Sequence, residues 1–439
     1  MPIKVGFVSL GCPKNQIDTE HMLHSLKESE EFEIVGNKNL ADVVIINTCG
    51  FIKAAKQEAI DVILEFIEMK KTTTKHIIVT GCLAERYKEQ IFQNFPEIDA
   101  VLGIGSQDIL KQTIKNCLKN KKIQHFNKIN CNSLNQKRIL TTPSHYAYLK
   151  IAEGCNNFCS YCAIPLIRGR YVSRSLEDIL KEAKWLETKN VKELILIAQD
   201  TTYYGLDLYK KFSLDVLLKE ISKLNFKWIR FLYAYPEKIN DSLIETVATA
   251  KNIIPYFDMP IQHIDDTILK AMNRKTNAKQ IITTIEKIRK NIKDATIRTS
   301  LIVGFPGETK AQFENLLNFV KETKFDRLGC FCYSKEEGTK AALLKNQIDE
   351  KTKEIRRKLI YKTSEEIIIK KSLSEINKTI SVIVDYKKQD DIYMGRTKKD
   401  APDVDCVVFF KSKKPLQNGD IVNVKIIKTK DIDLIGEAI

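Results

Sequence analysis

Three cysteines stand close together in the segment GCNNFCSYC, which spans residues 154–162. Cys155, Cys159 and Cys162 are separated by three and then two residues, so one tight loop carries all three thiols. Three thiolates in this arrangement can hold three irons of a four-iron cluster and leave the fourth iron open to a substrate. A zinc site, which usually needs a fourth Cys or His, and buried structural cysteines are the alternatives that the spacing leaves open.

A second set of three cysteines, Cys12, Cys49 and Cys82, is spread over the first part of the chain. Each of them directly follows a strand-like run and has a glycine beside it, which lets the backbone approach a ligand closely. Because the carboxyl ends of parallel strands meet at one edge of a sheet, we expect these thiols to converge. The pattern predicts a second cluster site, with a zinc site, a thiol redox site and plain burial as alternatives.

The remaining five cysteines show weaker signs of chemistry. Cys330 and Cys332 lie two residues apart within one predicted strand and share a face, which favours packing in a core. Cys117 and Cys131 lie in or near a predicted linker, and Cys406 opens a strand-like run, so we predict no function for them. The odd total of 11 cysteines, in a chain that we expect in the cytoplasm, favours metal or redox chemistry over disulfides.

The first 120 residues alternate strand-like and helical patterns. Predicted strands cover residues 4–10, 43–47, 76–80 and 101–104. Predicted helices cover residues 18–30, 54–71, 85–95 and 107–119. This order predicts an α/β domain over residues 1–120 with a doubly wound parallel sheet, whose ligands lie beyond the carboxyl ends of the strands. A basic segment without carboxylates, residues 121–142, is the predicted linker.

Six further strand-like runs follow the linker, and each but the last leads into helical sequence. They cover residues 146–152, 192–198, 228–235, 256–261, 296–303 and 327–333. Six units predict a partial TIM-like barrel over residues 143–375, since the closed form has eight strands. Catalytic groups of such a barrel lie at the strand ends, where Gln199, His263 and the segment 304–308 stand.

From residue 376 the sequence changes to short strand-like runs with turn signals, such as residues 417–420. Runs at residues 379–385, 406–410 and 421–427 predict a small all-β barrel of the OB-like type over residues 376–439. This last segment carries twelve basic and ten acidic residues. Its net charge of +2 is low for a module that grips nucleic-acid phosphates.

Composition limits the class of protein. The chain has 439 residues, enough for roughly three domains with real cores, and 43% of them are hydrophobic. No apolar run reaches the ~18 residues of a transmembrane helix, and the first ten residues read as a strand rather than a signal peptide. We therefore expect a cytoplasmic protein with no membrane partner. The formal charge of +15 is compatible with a polyanionic partner.

Taken together, these motifs resemble a known family. Three cysteines at the spacing of Cys155, Cys159 and Cys162, directly after the first strand of a partial barrel, are typical of radical SAM enzymes. A three-cysteine α/β domain before that barrel and a TRAM-like barrel after it resemble the arrangement in the methylthiotransferases. The segments 11–20 and 158–170 are similar to the branch that modifies ribosomal protein S-twelve. Relatives that modify tRNA usually carry Gln and Met where Pro13 and Lys14 stand, and Cys406 departs from the glycine usual in the family.

The resemblance implies two [4Fe-4S] clusters. Cys155, Cys159 and Cys162 would hold the cluster that binds S-adenosylmethionine (SAM), and the set of Cys12, Cys49 and Cys82 would hold an auxiliary cluster that carries sulfur. A deoxyadenosyl radical would take a hydrogen from the β-carbon of an aspartate in S-twelve, where a methylthio group is then added at the expense of two SAM molecules. No catalytic acid or base beyond the cluster ligands is implied. Implied SAM contacts are Gln199, Arg298, Gly304, Phe305, Pro306 and the following residues to Glu308.

The implied partner is S-twelve, either as the protein alone or within the assembling ribosome. The other implied partners are an electron donor, such as a flavodoxin or ferredoxin, and a sulfur donor of unknown identity. A tRNA adenosine methylthiotransferase would use the same clusters, and Pro13, Lys14 and the low charge of the last domain disfavour it. A non-enzymatic iron-sulfur carrier would need neither a barrel nor a SAM pocket.

Overall fold

A computed structural model describes residues 1–72, 74–127 and 137–439. The centre of the predicted linker, with Cys131, lies outside the described residues. The chain divides into two compact units. The first comprises Met1–Thr141, Ala152–Arg174 and Ser334–Ala342, and the second comprises Thr142–Ile151, Ser175–Tyr333 and Leu343–Ile439. The predicted domain boundaries at residues 120, 142 and 375 stay predictions.

The N-terminal part of the first unit alternates strands and helices. Its elements are β1 (Ile3–Ser9), α1 (Pro13–Lys27), β2 (Phe32–Ile34), β3 (Val43–Thr48), α2 (Lys53–Met69), β4 (His76–Gly81), α3 (Cys82–Tyr87), α4 (Glu89–Asn94), β5 (Ala100–Leu102), α5 (Leu110–Cys117) and β6 (Ile123–His125). The strands pair in the order β2-β1-β3-β4-β5-β6, and every pairing is parallel. The predicted parallel sheet is therefore confirmed.

The central strands of this sheet are covered on both faces. β3 and β4 are buried along their whole length, which explains their continuous apolar sequence. Val44 and Ile46 pack into one core, whereas Val43 and Ile45, which alternate with them, pack into the other. The strand order reverses between β1 and β3, and such a switch point is where doubly wound sheets bind their ligands.

Two helices differ from the prediction. α1 begins at Pro13, five residues earlier than predicted, because proline at the first helical position already has the φ angle of a helix. The predicted helix over residues 85–95 is in fact two helices, α3 and α4, separated at Lys88, whose φ is +42°. Apolar spacing continues across such a break and does not reveal it.

The chain continues with alternating elements up to residue 373. They are β7 (Tyr146–Lys150), β8 (Ala152–Glu153), α6 (Ile164–Ile167), β9 (Val172–Ser173), α7 (Leu176–Thr188), β10 (Glu193–Ile197), α8 (Leu206–Tyr209), α9 (Leu214–Ile221), β11 (Trp228–Phe231), α10 (Asp241–Thr249), β12 (Tyr256–Gln262), α11 (Asp266–Ala271), α12 (Ala278–Asn291), β13 (Thr296–Val303), α13 (Lys310–Thr323), β14 (Arg327–Cys332) and α14 (Glu350–Leu373). Every helix within the described ranges is too short or too polar to span a lipid bilayer.

Six parallel strands of the second unit form the predicted partial barrel. They lie in two three-stranded sheets, with the orders β11-β10-β7 and β12-β13-β14. The two sheets meet at β11 and β12, where the N–H of Ala234 donates to the carbonyl of Asp258 at 2.8 Å. Beside this contact, the N–H of Ile254 donates to the carbonyl of Ile229 at 2.8 Å.

The last segment of the second unit is a closed five-stranded barrel. Its strands are β15 (Thr379–Gln389), β16 (Ile392–Thr397), β17 (Val408–Lys411), β18 (Ile421–Lys430) and β19 (Asp433–Ala438), in the order β15-β16-β17-β19-β18. The predicted β-barrel is confirmed, but β16 and β19 were not predicted. Each contains a glycine, Gly395 or Gly436, at which a Cβ would lie within 2.4 Å of a carbonyl oxygen of a neighbouring strand. Glycine weakens the strand pattern in the sequence although this close approach requires it.

A buried ionic network joins the β7–β14 barrel to the β15–β19 barrel within the second unit. Glu193, at the start of β10, is fully buried and accepts hydrogen bonds from Arg230 and from Arg396 of β16, each at 2.8 Å. Arg396 also pairs with Asp385 of β15 at 2.9 Å. Burial by itself would raise the pKa of Glu193, but Arg396 and Arg230 lower it below its ordinary value. The carboxylate therefore stays charged and holds two buried arginines.

Removal of this charge tests the network. We expect Glu193→Gln to lower the free energy of unfolding of the second unit by about 3–5 kcal/mol, because Arg230 is left buried without a carboxylate. The measurement is urea denaturation followed by circular dichroism. Glu314→Gln is the control, since Glu314 is exposed and lies 3.8 Å from exposed Lys310, so the expected loss is below about 1 kcal/mol. Equal losses in the two variants would contradict the role given to Glu193.

Candidate functional site

The first set of cysteines lies at the carboxyl edge of the parallel sheet. Cys12 is the N-cap residue of α1, Cys49 follows β3 directly, and Cys82 begins α3. The strands that precede them, β1, β3 and β4, are neighbours in the sheet. A Cβ added to Gly11, whose φ is +94°, would lie 2.8 Å from the Cβ and 3.2 Å from the Sγ of Cys49. The structure thus brings Cys12, Cys49 and Cys82 together, and they are called the three-cysteine site below.

Asn15, in the first turn of α1, holds the edge of this site together. Its side-chain amide donates to the carbonyl of Leu10 at 2.9 Å and to the carbonyl of Thr48 at 3.0 Å. Its Oδ1 accepts from the thiol of Cys82 at 3.4 Å. Asn15 is fully buried. One amide therefore contacts the chain just before each of the first two cysteines and the thiol of the third.

Arg168 is the principal buried cation beside the three-cysteine site. Its Nη2 donates to Asn15 Oδ1 at 2.6 Å and to Asp18 Oδ2 at 2.9 Å, and its Nη1 donates to Glu153 Oε1 at 2.9 Å. Only 1% of its side chain is exposed. Burial opposes the charge, but Cys82, Glu153 and Asp18 raise the pKa of Arg168 well above its ordinary value. The guanidinium is thus positively charged at every relevant pH.

The three thiols have different acidities. Burial would raise the pKa of Cys12, but the charges of Lys14 and Arg168 hold it below its ordinary value. Burial raises the pKa of Cys49, and the neighbouring Cys12 raises it further. Burial raises the pKa of Cys82 to about 12, with Cys12 and Cys49 opposing its ionisation as well. Because the three thiols lie close together, ionisation of one opposes ionisation of the next.

The second set of cysteines lies on the loop between β8 and α6, also in the first unit. Gly154 has a φ of +71°, and a Cβ there would lie 2.1 Å from the carbonyl oxygen of Arg170, so the loop closes tightly before Cys155. The N–H of Cys155 donates to the carbonyl of Gly169 at 3.1 Å. The backbone and side-chain amides of Asn157 both lie 3.5 Å from the Sγ of Cys155 as donors. Cys155 and Cys159 are buried, and Cys162 is half-buried.

The donor chemistry of both sites fits iron-sulfur clusters. Each site offers three soft sulfur ligands, and N–H···S contacts such as those on Cys155 stabilise the charge of a bound cluster. Among the residues that the structure describes, no group of three or more His, Cys, Asp or Glu side chains has the arrangement that holds a single metal ion. The six cysteines of the two sites are therefore candidate cluster ligands.

The predicted SAM contacts all lie in the second unit. Gln199 stands at the carboxyl end of β10, and Gly304 follows β13 directly. The N–H groups of Gly304 and Phe305 donate to the carboxylate of Glu308. Arg298 pairs with Asp258 at 2.9 Å and lies 3.4 Å from Asp405, so its guanidinium already has two carboxylate partners. The contacts of these residues and of Pro306 with SAM stay predictions.

His263 and Glu308 lie at the same end of the partial barrel. The Nδ1 of His263 accepts the N–H of Asp265 at 3.0 Å, a local bond just before α11. The Nε2 of His263 lies 3.9 Å from Oε1 of Glu308, and both side chains are fully buried. In this structure the Nδ1 of the histidine therefore serves the local backbone.

Sequence reasoning missed the polar residues that surround the three-cysteine site. Asn15 and Arg168 stood in the motifs that carried the family resemblance, but no role was predicted for either. Asp18 also stood in one of these motifs without a predicted role, and Glu153 was not singled out at all. Arginine in a loop usually lies at the surface, so only its burial in the structure reveals Arg168 as part of the site.

Comparisons with known proteins agree with this arrangement. A model of the radical SAM superfamily matches residues 149–320, and a model of the TRAM domain matches residues 376–439. A third model, described as uncharacterized protein family UPF0004, matches residues 4–103.

Several curated proteins named ribosomal protein uS12 methylthiotransferase RimO match along the whole chain. The one from Thermoanaerobacter sp. (strain X514) is 49% identical over 435 residues, which cover 99% of this chain and 99% of that protein. Those from Acetivibrio thermocellus and Clostridioides difficile are 46% and 47% identical, over 100% of this chain and 99% of each protein. The chain belongs to the RimO family. The predicted enzyme class, a radical SAM methylthiotransferase, is thereby confirmed.

SAM and [4Fe-4S] clusters are the cofactors of RimO proteins, which confirms the predicted cofactors.

Solved structures show the same fold at lower identity. The radical SAM methyltransferase TsrM from Kitasatospora setae, with tryptophan and a SAM analogue bound, has a TM-score of 0.57 at 12% identity, over 75% of this chain and 72% of that chain. The cobalamin-dependent enzyme OxsB has a TM-score of 0.50 at 13% identity, over 82% of this chain and 56% of that chain.

The different acidities of the thiols lead to a testable order of reactivity. In protein freed of clusters we expect iodoacetamide at pH 7.5 to modify Cys12 at least about tenfold faster than Cys82, because only the thiolate reacts. Between pH 7.5 and 9 the rate at Cys82 should rise about tenfold per pH unit, since its pKa is about 12, while the rate at Cys12 should rise less steeply, because its pKa lies below its ordinary value. Peptide mapping by mass spectrometry measures both rates.

The buried Cys117, whose pKa is also raised to about 12, is the internal control and should react as slowly as Cys82. Equal rates for Cys12 and Cys82 at neutral pH would show that Lys14 and Arg168 do not favour the Cys12 thiolate.

The substitution Gly11→Ala, which adds one methyl group, tests the close packing at this position. We expect Gly11→Ala to lose the iron of the three-cysteine site, because the added Cβ meets Cys49 and the positive φ disfavours alanine. The measurement is iron content after reconstitution, with circular dichroism as the check on folding. Gly36→Ala is the control, since nothing lies within 4 Å of a Cβ built there. If the Gly11→Ala protein binds the full amount of iron, the site tolerates a displacement of Cys49 and the close packing is not required.

Proposed function

We propose that this chain transfers a methylthio group to the β-carbon of an aspartate in ribosomal protein uS12. The observation that carries the proposal is the presence of two sets of three cysteines in one compact unit, in a chain that matches RimO proteins from end to end. A reaction that needs a radical and a separate source of sulfur requires two such sites. The name of these relatives supports uS12 rather than a tRNA as the substrate.

Each set of cysteines has its own role in this proposal. Cys155, Cys159 and Cys162 hold the cluster to which SAM binds, and Cys12, Cys49 and Cys82 hold the auxiliary cluster. When bound, these groups supply the radical that activates the aspartate C–H bond and the sulfur that is transferred. The protein supplies the thiol ligands, the Asn157 amides on Cys155, and burial of two of the three cysteines at each site.

The residues beside the three-cysteine site prepare it for anionic ligands. Cys12 lies at the N-terminus of α1, where the helix dipole favours a thiolate. Arg168 and Lys14 add positive charge, so the first thiolate forms with little penalty. Gln199, Arg298, Gly304, Phe305 and Pro306 are the proposed contacts with SAM.

The partners that the reaction needs follow from its chemistry. An electron donor such as a flavodoxin or a ferredoxin reduces the cluster, and a sulfur donor of unknown identity replaces the sulfur that is consumed. The cytoplasm is the proposed compartment, because uS12 is made there and joins the ribosome there. The substrate is uS12 alone or within the assembling ribosome.

One anaerobic experiment tests the substrate and both cluster sites. The reconstituted and reduced protein is incubated with SAM, sulfide, uS12 and bulk tRNA together, and the products are read by mass spectrometry. We expect a methylthio increment on an aspartate of uS12. Cys155→Ala should lose both 5′-deoxyadenosine and the increment, whereas Cys12→Ala should lose the increment but still release 5′-deoxyadenosine. Each variant should lose about half of the iron.

Cys117→Ala is the matched control, because Cys117 is buried in the sheet core of the first unit and belongs to neither site. It should keep the iron and the increment. An increment on a tRNA adenosine instead of uS12 would establish the tRNA methylthiotransferase, and failure of the reduced protein to release 5′-deoxyadenosine would favour an iron-sulfur carrier.

A further inference from the structure

The guanidinium of Arg168 contacts residues that belong to both cysteine sites. Toward the three-cysteine site it donates to Asn15 at 2.6 Å and to Asp18 at 2.9 Å, both on α1. Toward the other site it donates at 2.9 Å to Glu153, two residues before Cys155. Glu153 also accepts the N–H of Gly154 at 3.3 Å. All of these residues lie in the first unit, and the bonds are buried.

The backbone next to Arg168 continues this connection. The carbonyl of Gly169 accepts the N–H of Cys155 at 3.1 Å. Two consecutive residues therefore bind the two sites, Arg168 through its side chain and Gly169 through its carbonyl. Asn15 completes the path, because the oxygen that accepts from Arg168 also accepts from the thiol of Cys82. A displacement of Arg168 would reach Cys82 and Cys155 through one intervening residue each.

The charges around Arg168 are predominantly negative. Asp18 and Glu153 each contribute a carboxylate, and ligation of a cluster turns neighbouring thiols into thiolates. Lys14, which is buried on α1, is the other cation that lowers the pKa of Cys12. A buried cation favours the reduced and more negative state of a nearby cluster, which raises the reduction potential. In the proposed function the charge of Arg168 favours the Cys12 thiolate, and its effect on the potential of a bound cluster goes beyond that role.

We propose that Arg168 is a positioning residue that fixes the three-cysteine site relative to the loop of Cys155 and offsets the negative charge of the group bound by Cys12, Cys49 and Cys82. The inference rests on the proposed function, because it needs a cluster at each site. It assigns two separable properties to one side chain. The forked guanidinium binds Asn15, Asp18 and Glu153 together, and the positive charge sets the potential of the auxiliary cluster.

Two substitutions separate these properties. Arg168→Gln removes the charge, and Arg168→Lys keeps the charge but cannot reproduce the forked contacts with both α1 and Glu153. Arg138→Gln is the matched control, since Arg138 is equally buried and pairs with Glu20 on the same helix α1, away from the cysteines. It reports the effect of losing any buried arginine of this unit.

Three quantities are measured on the reconstituted full chain. The first is iron content, and the second is the midpoint potential of each cluster from a redox titration followed by electron paramagnetic resonance. The spectrum of the Cys155→Ala protein assigns the signal of the auxiliary cluster. The third is the ratio of methylthiolated uS12 to 5′-deoxyadenosine released.

We expect Arg168→Gln to shift the midpoint potential of the auxiliary cluster to more negative values and to lower the product ratio by about tenfold. The release of 5′-deoxyadenosine should stay within about twofold of the unsubstituted protein, because on that side the guanidinium bonds to Glu153, two residues before the first of the three cysteines. Arg168→Lys should restore the potential but not the product ratio. Arg138→Gln should change neither quantity.

Wild-type potential and product ratio in Arg168→Gln would overturn the inference, as would equal changes in Arg168→Gln and Arg138→Gln. If Arg168→Gln does not bind iron at the three-cysteine site, Arg168→Lys decides, and an unchanged product ratio in that variant overturns the positioning role. Absence of a second cluster signal in the unsubstituted protein would overturn the proposed function itself, an outcome distinguishable from failure of the role of Arg168.

Discussion

A parallel sheet returns the chain to the same edge after every strand, and the first unit depends on this constraint. Cys12, Cys49 and Cys82 are far apart in sequence but follow the neighbouring strands β1, β3 and β4. The reversal of strand order between β1 and β3 opens a crevice at the point where the first two cysteines stand. Gly11 then allows the backbone to lie against Cys49, so the site needs no special loop to assemble it.

Buried charge imposes a second constraint, and both units meet it in the same way. In the first unit Arg168 lies between Asp18 and Glu153, and in the second unit Glu193 lies between Arg230 and Arg396. Removal of one partner from such a group leaves the other buried without compensation, which destabilises strongly. The two groups of charges connect different parts of the protein. Glu193 joins two barrels of one unit, whereas Arg168 joins two candidate cluster sites.

The connection between the two candidate cluster sites matters for the proposed reaction. A methylthiotransferase must deliver a radical and a sulfur atom to one carbon, so its two clusters require a fixed relation. The first unit contains all six candidate cluster ligands. Three of them lie in the segment 152–174, which is separated in sequence from the sheet. Segment 334–342 belongs to the same unit, where Glu336 accepts from Lys56 and Arg86 and the N–H of Ala341 donates to Ser160. Contacts other than those of Arg168 therefore also support the cysteine loop.

Short-range patterns in the sequence predicted much of this protein. The spacing of Cys155, Cys159 and Cys162, the cysteine after each of three strands, and the alternation of strands and helices depend on neighbouring residues only. Those features led to the fold class, the family resemblance and the candidate ligands. The glycine-containing strands β16 and β19 escaped prediction, because glycine weakens the strand pattern and the close approach to the preceding strand that requires it is visible only in the structure.

The partners of buried charge were decided only by the tertiary structure. Arg168 contacts residues that lie 153, 150 and 15 positions away, and nothing in its local sequence distinguishes it from exposed Arg170. Likewise Arg298, a predicted SAM contact, pairs with Asp258 and lies close to Asp405, and the sequence pattern indicated neither partner. Residue type and spacing determine which chemistry a chain can perform. Which charges neutralise one another depends on long-range packing, because an ion pair requires two side chains to meet in space and not in sequence.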